Sequence, residues 1–316
     1  MAEKKVIAVL GSTGAQGGAL ARAILNDKNS EYAVRAITRN PKSDKALALK
    51  DQGAQIVQAD LDDASSLENA FRGAYGVFGV TNFWEHFSPV KETQQAKNIA
   101  QAAKNAGVKH VVWSTLEDSR QWIPLDDTRM PTLQEKYKVP HFDSKGEADQ
   151  TFRDLGVPTT FLRTSFYWEN FIHFGQGPKR GEDGAIALSL PLGDAKFPGM
   201  AVEDIGKSAY GIFRKGDQYV NQYVGIAGEH LTGSEMAQIF SRQFGEPVRY
   251  NKISPDTYRG FGFPGADDLG NMYQFNIEFA EDFTAQRNIE DTRKLNPELQ
   301  NLETWVAANK DRIPLS

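Results

Sequence analysis

An apolar run, three glycines and a helical repeat stand together near the start of this chain, over residues 5–25 (KVIAVLGSTGAQGGALARAIL). Residues 6–10 are continuously apolar. Gly11, Gly14 and Gly17 follow at three-residue spacing, and Ala19, Leu20, Ala23, Ile24 and Leu25 then recur with helical periodicity. A buried strand, a tight turn and a helix in that order bring a helix N-terminus beside a strand end. Free backbone N–H groups and the helix dipole favour an anion there. In such a turn Gly11 permits the change of direction, Gly14 lets the backbone approach a pyrophosphate, and Gly17 lets the helix lie close on the sheet. A glycine pattern alone is also met in turns that bind nothing. Its place after a strand and inside a βαβ unit is what points to a nucleotide loop made of Gly11, Ser12, Thr13, Gly14, Ala15, Gln16 and Gly17.

The rest of the N-terminal half repeats this alternation. Strands are expected over 32–39, 54–59, 76–81, 110–115 and 159–163, and helices over 42–52, 65–71, 90–106 and 145–155. The fold class is therefore α/β, a doubly wound parallel sheet of Rossmann type, with ligands at the carboxyl ends of its strands. Residues 116–140 show no periodicity and carry Pro124, Pro131 and Pro140. A connection beyond about 12–15 residues is a candidate lid or a plain insertion. Beyond residue 165 the chain turns rich in Gly, Pro and aromatics, with a strand expected at 186–190, a helix at 202–213, a capping box at Thr232–Glu235 and helices at 280–287 and 302–310. The expected division is a nucleotide-binding domain over 1–165, to which the chain returns around 200–230, and a smaller, mostly helical domain over 166–316 covering the cleft.

Composition narrows the function. The 316 residues, 40% hydrophobic and 24% charged, suit a soluble globular protein. A net charge of −5 argues against a general nucleic-acid surface. With no cysteine, thiolate catalysis and Cys-ligated zinc are excluded. The five histidines have no i, i+4 pair, and no metal site is expected. No signal peptide is read before the first strand, and no apolar run reaches the roughly 20 residues of a membrane span. The expected location is the cytoplasm, with access to the nucleus open.

The second strand ends in Arg39, where a cofactor with a free 2′-hydroxyl is usually met by an acid. An Arg fork grips a 2′-phosphate, so NADP(H) is expected over NAD(H), with Lys42 in the next turn. Asp60, followed by Leu61, is placed either to accept from an adenine amino group or to start the next helix. Thr81, Asn82 and Phe83 close the fourth strand on the cofactor side. Carbonyl reduction needs a proton donor, commonly Tyr-x-x-x-Lys on one helix face. No tyrosine here has a lysine four residues on; the nearest match is His141-x-x-x-Lys145. Both are candidate catalytic residues. Lys145 alternatively serves a nicotinamide ribose without catalysis.

The motifs GSTGAQGG (11–18), TRNP (38–41), GVFGVTNFWE (76–85), HFDSKGE (141–147), FYWEN (166–170) and FPGADDLGNM (263–272) resemble the NmrA-like family of atypical short-chain dehydrogenase/reductases, closest to its NADPH-sensor subgroup. The resemblance implies a cofactor role for Gly11–Gln16, Arg39, Thr81–Phe83, Lys145, Tyr167, Trp168, Glu169 and Asn170. It implies a redox sensor that changes conformation, dimerisation or protein partner with NADP(H). An NADPH-dependent reductase of quinones or unsaturated carbonyls is the alternative. Gln94 departs from the basic residue that the sensor subgroup often carries on its long helix.

Overall fold

The computed structural model describes residues 3–315. Six strands, β1 (Lys5–Val9), β2 (Tyr32–Thr38), β3 (Gln55–Gln58), β4 (Gly76–Gly79), β5 (His110–Thr115) and β6 (Thr159–Arg163), join a seventh, Tyr223–Gly225, in one sheet. The spatial order is Tyr223–Gly225, β6, β5, β4, β1, β2, β3, and every pairing is parallel. The order reverses between β1 and β4, which opens a crevice at their carboxyl ends. The bounds of β5 and β6 match those expected from the sequence.

Each sheet face buries its own core, because strands covered on both sides are apolar on both sides. On one face α1 (Ala15–Asn26) and the helix Val202–Arg214 enclose Leu20, Ile24, Ile205 and Phe213. Their contact is close at Gly206, where a Cβ would overlap the α1 backbone at Ala19 and Leu20. On the other face α3 (Ala64–Phe71), α4 (Pro89–Asn105) and α5 (Pro140–Asp154) bury Phe71, Ile99 and Phe152. A third core, with Trp168, Phe171, Phe240 and Trp305, lies among the C-terminal helices and two three-stranded sheets. The chain thus leaves the large sheet after β6 and returns to it with Val202–Arg214 and Tyr223–Gly225. The Thr232–Glu235 capping box forms with both of its bonds.

One expected boundary is corrected, and one open alternative is decided. α5 starts at Pro140 and not at residue 145. Proline suits a first helical position, where no N–H partner is needed. The Asp143 carboxylate accepts from the backbone N–H groups of Lys138 and Val139 just ahead of it. The segment 116–140 contributes only Leu116 to the cleft and does not cover it. Its Ile123, Met130 and Val139 belong to the C-terminal core. Glu117 and Arg287, both fully buried, pair at 2.7 and 2.9 Å. Lys138 Nζ donates to the carbonyls of Asp127 and Met130. No helix among the described residues is long and apolar enough to cross a membrane.

Candidate functional site

The crevice holds a cavity of about 1000 Å³. Its floor is the glycine loop. Gly11 has φ +58°, a conformation that costs a side chain, and the Gly14 N–H closes the turn on Gly11 O at 2.8 Å. Gly14 caps α1 without a side-chain hydrogen bond, and no acid stands in the first turn. The first N–H groups of α1 therefore lack an intrahelical partner and face an anion site. At Gly17 a Cβ would overlap Leu10 O and Gly11 O, so only glycine lets α1 sit this close to β1. Gly11, Thr13, Gly14, Ala15, Gln16 and Gly17 all line the cavity. Ser12 does not; its hydroxyl donates to Ile37 O at 2.8 Å and ties the loop to β2.

Arg39, at the end of β2, lines the cavity together with Asp60 and Leu61. Its guanidinium pairs with Glu85, from the short helical turn after β4, with Nη2 at 3.2 Å from Oε2. Lys42 stays outside the lining and Lys45 takes that place. The cause is local: Ser43 caps α2 (Asp44–Asp51), which puts Lys45 in its first turn. Asp60 Oδ1 accepts from the Asp62 backbone, and Asp62 pairs with Lys91 at 2.9 Å.

Deeper in, Lys145 Nζ donates to Thr81 Oγ1 at 2.8 Å and to Glu92 Oε1 at 2.5 Å. Glu92, in the first turn of α4, is fully buried. Burial raises its carboxyl, but the Lys145 charge, the His86 ring 3.4 Å away and hydrogen bonds from Lys145 and Thr81 outweigh burial and hold it at about 2. The ammonium of Lys145 is thus a fixed, neutralised cation beside Thr81, Asn82 and Phe83. The sequence reading missed Glu92, a lone acid on a long helix.

His141 also lines the cavity. Its Nδ1 lies 2.6 Å from Asp268 Oδ1, and its backbone N–H donates to Asp268 Oδ2 at 3.1 Å. Asp268 comes from the helix Ala266–Glu278 and was not singled out in the sequence. The Trp84 ring lies 4.7 Å from the imidazole, centroid to centroid. Of the FYWEN stretch, Phe166, Tyr167 and Asn170 line the cavity. The Tyr167 hydroxyl accepts from Gln16 at 2.6 Å, and burial pushes the phenol up to about 12. Trp168 and Glu169, expected at the cofactor, face the C-terminal core. Trp168 packs on Trp305, and Glu169 accepts from Val202 N and Trp305 Nε1. The strand Phe166–Tyr167 ends here and Trp168 lies in the turn that follows, which carries its ring into the C-terminal core. Among the described residues no group of three His, Cys, Asp or Glu is placed to hold a metal.

The lining is polarised. Arg39, Lys45, Asp60, Asp62, Glu85 and Lys91 cluster around the β2 and β3 ends, whereas no lining residue from Thr164 onward is charged.

An NmrA-like family domain-containing oxidoreductase of Cladobotryum, FrzB, is 28% identical over 289 residues, covering 85% of this chain and 83% of that protein. The crystal structure of NmrA, a negative transcriptional regulator, in complex with NADP is similar with a TM-score of 0.78 at 22% identity, covering 97% of this chain and 95% of that one. The Citrobacter triphenylmethane reductase complexed with NADP(H) is similar with a TM-score of 0.75 at 20% identity, covering 98% and 99%. The NmrA-like family itself matches residues 3–306, so this chain belongs to the NmrA-like family.

Proposed function

We propose that this protein binds NADP(H) in the cleft and acts as a redox sensor, its conformation and protein contacts following the cofactor. The residues fit that group: a glycine cradle with free helix N–H groups for the pyrophosphate, the buried and unpartnered Gln16 Oε1, and Arg39 at the 2′-position. Thr81, Asn82, Phe83, Lys145, Tyr167 and Asn170 would hold the remainder. NmrA in complex with NAD and with NADP, and triphenylmethane reductase complexed with NADP(H), support a nicotinamide dinucleotide in this cleft, and the preference for NADP(H) rests on Arg39.

The observation that carries the sensor reading is the Arg39–Glu85 pair. A 2′-phosphate and the Glu85 carboxylate compete for one guanidinium. Glu85 belongs to a segment whose Trp84 and Phe87 pack against the turn at Gly265, and Trp84 also meets His141. Displacing Glu85 therefore acts on contacts with the C-terminal half. A regulatory protein partner, a homodimer and a cytoplasmic location with nuclear access belong to the same reading.

The test is calorimetric titration with NADPH and NADH. NADPH is expected to bind more tightly, and Arg39→Glu to abolish the preference; equal affinities in the native protein would sink the reading. A second reading, an NADPH-dependent reductase of quinones or unsaturated carbonyls, is favoured by the His141–Asp268 pair and by relatives named oxidoreductases.

A further inference from the structure

Two features of the cleft are not used by a sensor. The first is the His141–Asp268 pair. Asp268 engages Nδ1 at 2.6 Å and also caps the backbone N–H of the same residue. With both carboxylate oxygens on His141, the ring orientation is set and Nδ1 is engaged. Nε2 is left without a hydrogen-bond partner among the described residues, on a residue that lines the cavity. Lys145 Nζ is already engaged by Thr81 and the buried Glu92.

The second feature is the uncharged wall. Phe166, Phe197, Phe263, Met272 and Phe283 contribute apolar surface to it. Ser165 Oγ and Asn276 Oδ1 are buried in that wall with no hydrogen-bond partner, although Ser165 is 7% and Asn276 3% exposed. Buried polar groups normally find partners. Two orphans on a cavity wall mark positions for polar atoms of a ligand whose body is apolar. An ionised ligand would lose its hydration there without a counter-charge.

We propose that His141, positioned by Asp268, is the proton donor in the reduction of a neutral aromatic or conjugated aldehyde or ketone bound against this wall. NADPH is the reductant, so the inference rests on cofactor binding in the cleft and deepens the reductase reading. As the carbonyl carbon accepts a hydride, NADPH becoming NADP⁺, the π pair of the C=O bond moves on to oxygen. The doubly protonated imidazole gives its Nε2 proton to that oxygen, completing the alcohol, and water restores the proton. Asp268 is a positioning residue that faces the resulting ring through Nδ1. The Ser165 hydroxyl can donate to the carbonyl oxygen and orient it, whereas Asn276 Oδ1 only accepts and serves substrates that carry a hydroxyl.

The experiment keeps binding and turnover apart. NADPH affinity is measured first by calorimetry; absence of binding would defeat the cofactor reading itself. With NADPH binding established, cinnamaldehyde and its para-carboxylate analogue are compared as ligands by calorimetry and as substrates by formation of the alcohol. Cinnamaldehyde is expected to bind and to be reduced, and the carboxylate to be about tenfold worse or more in both, from the cost of burying a charge. His141→Gln is expected to lower kcat about 100-fold, a normal loss for a proton donor, with both affinities unchanged. Asp268→Asn keeps an acceptor for the His141 backbone and is expected to lower kcat about tenfold at unchanged KM. An Asp268 that only caps the helix would lower Tm and leave kcat of the folded protein intact. The proposal is overturned if NADPH binds yet cinnamaldehyde neither binds nor reacts, if the charged analogue is preferred, or if folded His141→Gln retains kcat.

Discussion

Glu85 holds Arg39 from across the mouth of the cleft, forty-six residues further along the chain. Both side chains are more than one-third exposed, so the pair adds little to stability. Its effect lies in competition for the guanidinium. Glu85→Gln should strengthen NADPH binding about fivefold, within the usual range of coupling between ligands, while NADH affinity stays level. Arg39→Ala should weaken NADPH about 10- to 100-fold, the worth of a charge-assisted hydrogen bond. Parallel titrations of the two variants with both cofactors decide this.

The Lys145–Glu92 pair is buried, and breaking it has a different cost. Glu92→Gln leaves an ammonium without its counter-charge and should destabilise the fold by about 3 kcal/mol in urea unfolding. The pH dependence has a definite sign. The Glu92 carboxyl is lowered from 4.5 to about 2, so its contribution is present above pH 4.5 and is lost as pH falls through about 2. Native protein should lose stability across that window more steeply than the variant.

Asp149 behaves in the opposite way. It sits on α5 one turn beyond Lys145, accepts from Trp113 Nε1 at 2.9 Å, and has a second oxygen with no partner. Burial raises its carboxyl from 3.8 to about 7, against the lowering effect of the Arg163 charge and the Trp113 hydrogen bond. Stability is therefore full below pH 3.8 and declines as pH rises through about 7. Asp149→Asn should flatten this decline and gain stability relative to the native protein at neutral pH. Melting curves across the range check it.

Gly17→Ala tests the close approach of α1 to β1. The added methyl meets two backbone carbonyl oxygens, which cannot rotate away. Overpacking of this kind should cost about 1–3 kcal/mol and weaken NADPH binding by displacing the helix N-terminus. Gly53→Ala, at a positive-φ turn with open space around it, is a control for destabilisation away from the cleft.

Local order was legible where local chemistry decides it. The glycine loop, the apolar strands and the Thr232 capping box are written in consecutive residues, and β5 and β6 have the expected bounds. The partners that complete the site are not local. Glu92 reaches Lys145 over 53 residues and Asp268 reaches His141 over 127. No spacing rule connects such residues; only the packing of α4, α5 and the helix Ala266–Glu278 does. Trp168 and Glu169 share a motif with Tyr167 yet serve the C-terminal core. In residues 116–140 the prolines disrupt periodicity, while single side chains such as Lys138 and Glu117 tie the segment down.

The return of the chain to its first sheet affects how the protein is made. During synthesis β6 emerges as an open edge and stays one until Tyr223–Gly225 follows, sixty residues later by position. The helix that covers α1 is also late, and Asp268, which caps α5, comes later still. A ribosome-bound chain ending near residue 165 therefore presents an unpaired strand and an uncovered apolar helix face, a combination prone to pairing with other chains. The nucleotide-binding half is translated before the C-terminal half but depends on residues of that half to close, so a truncation there should yield an aggregating fragment and not a portable cofactor module.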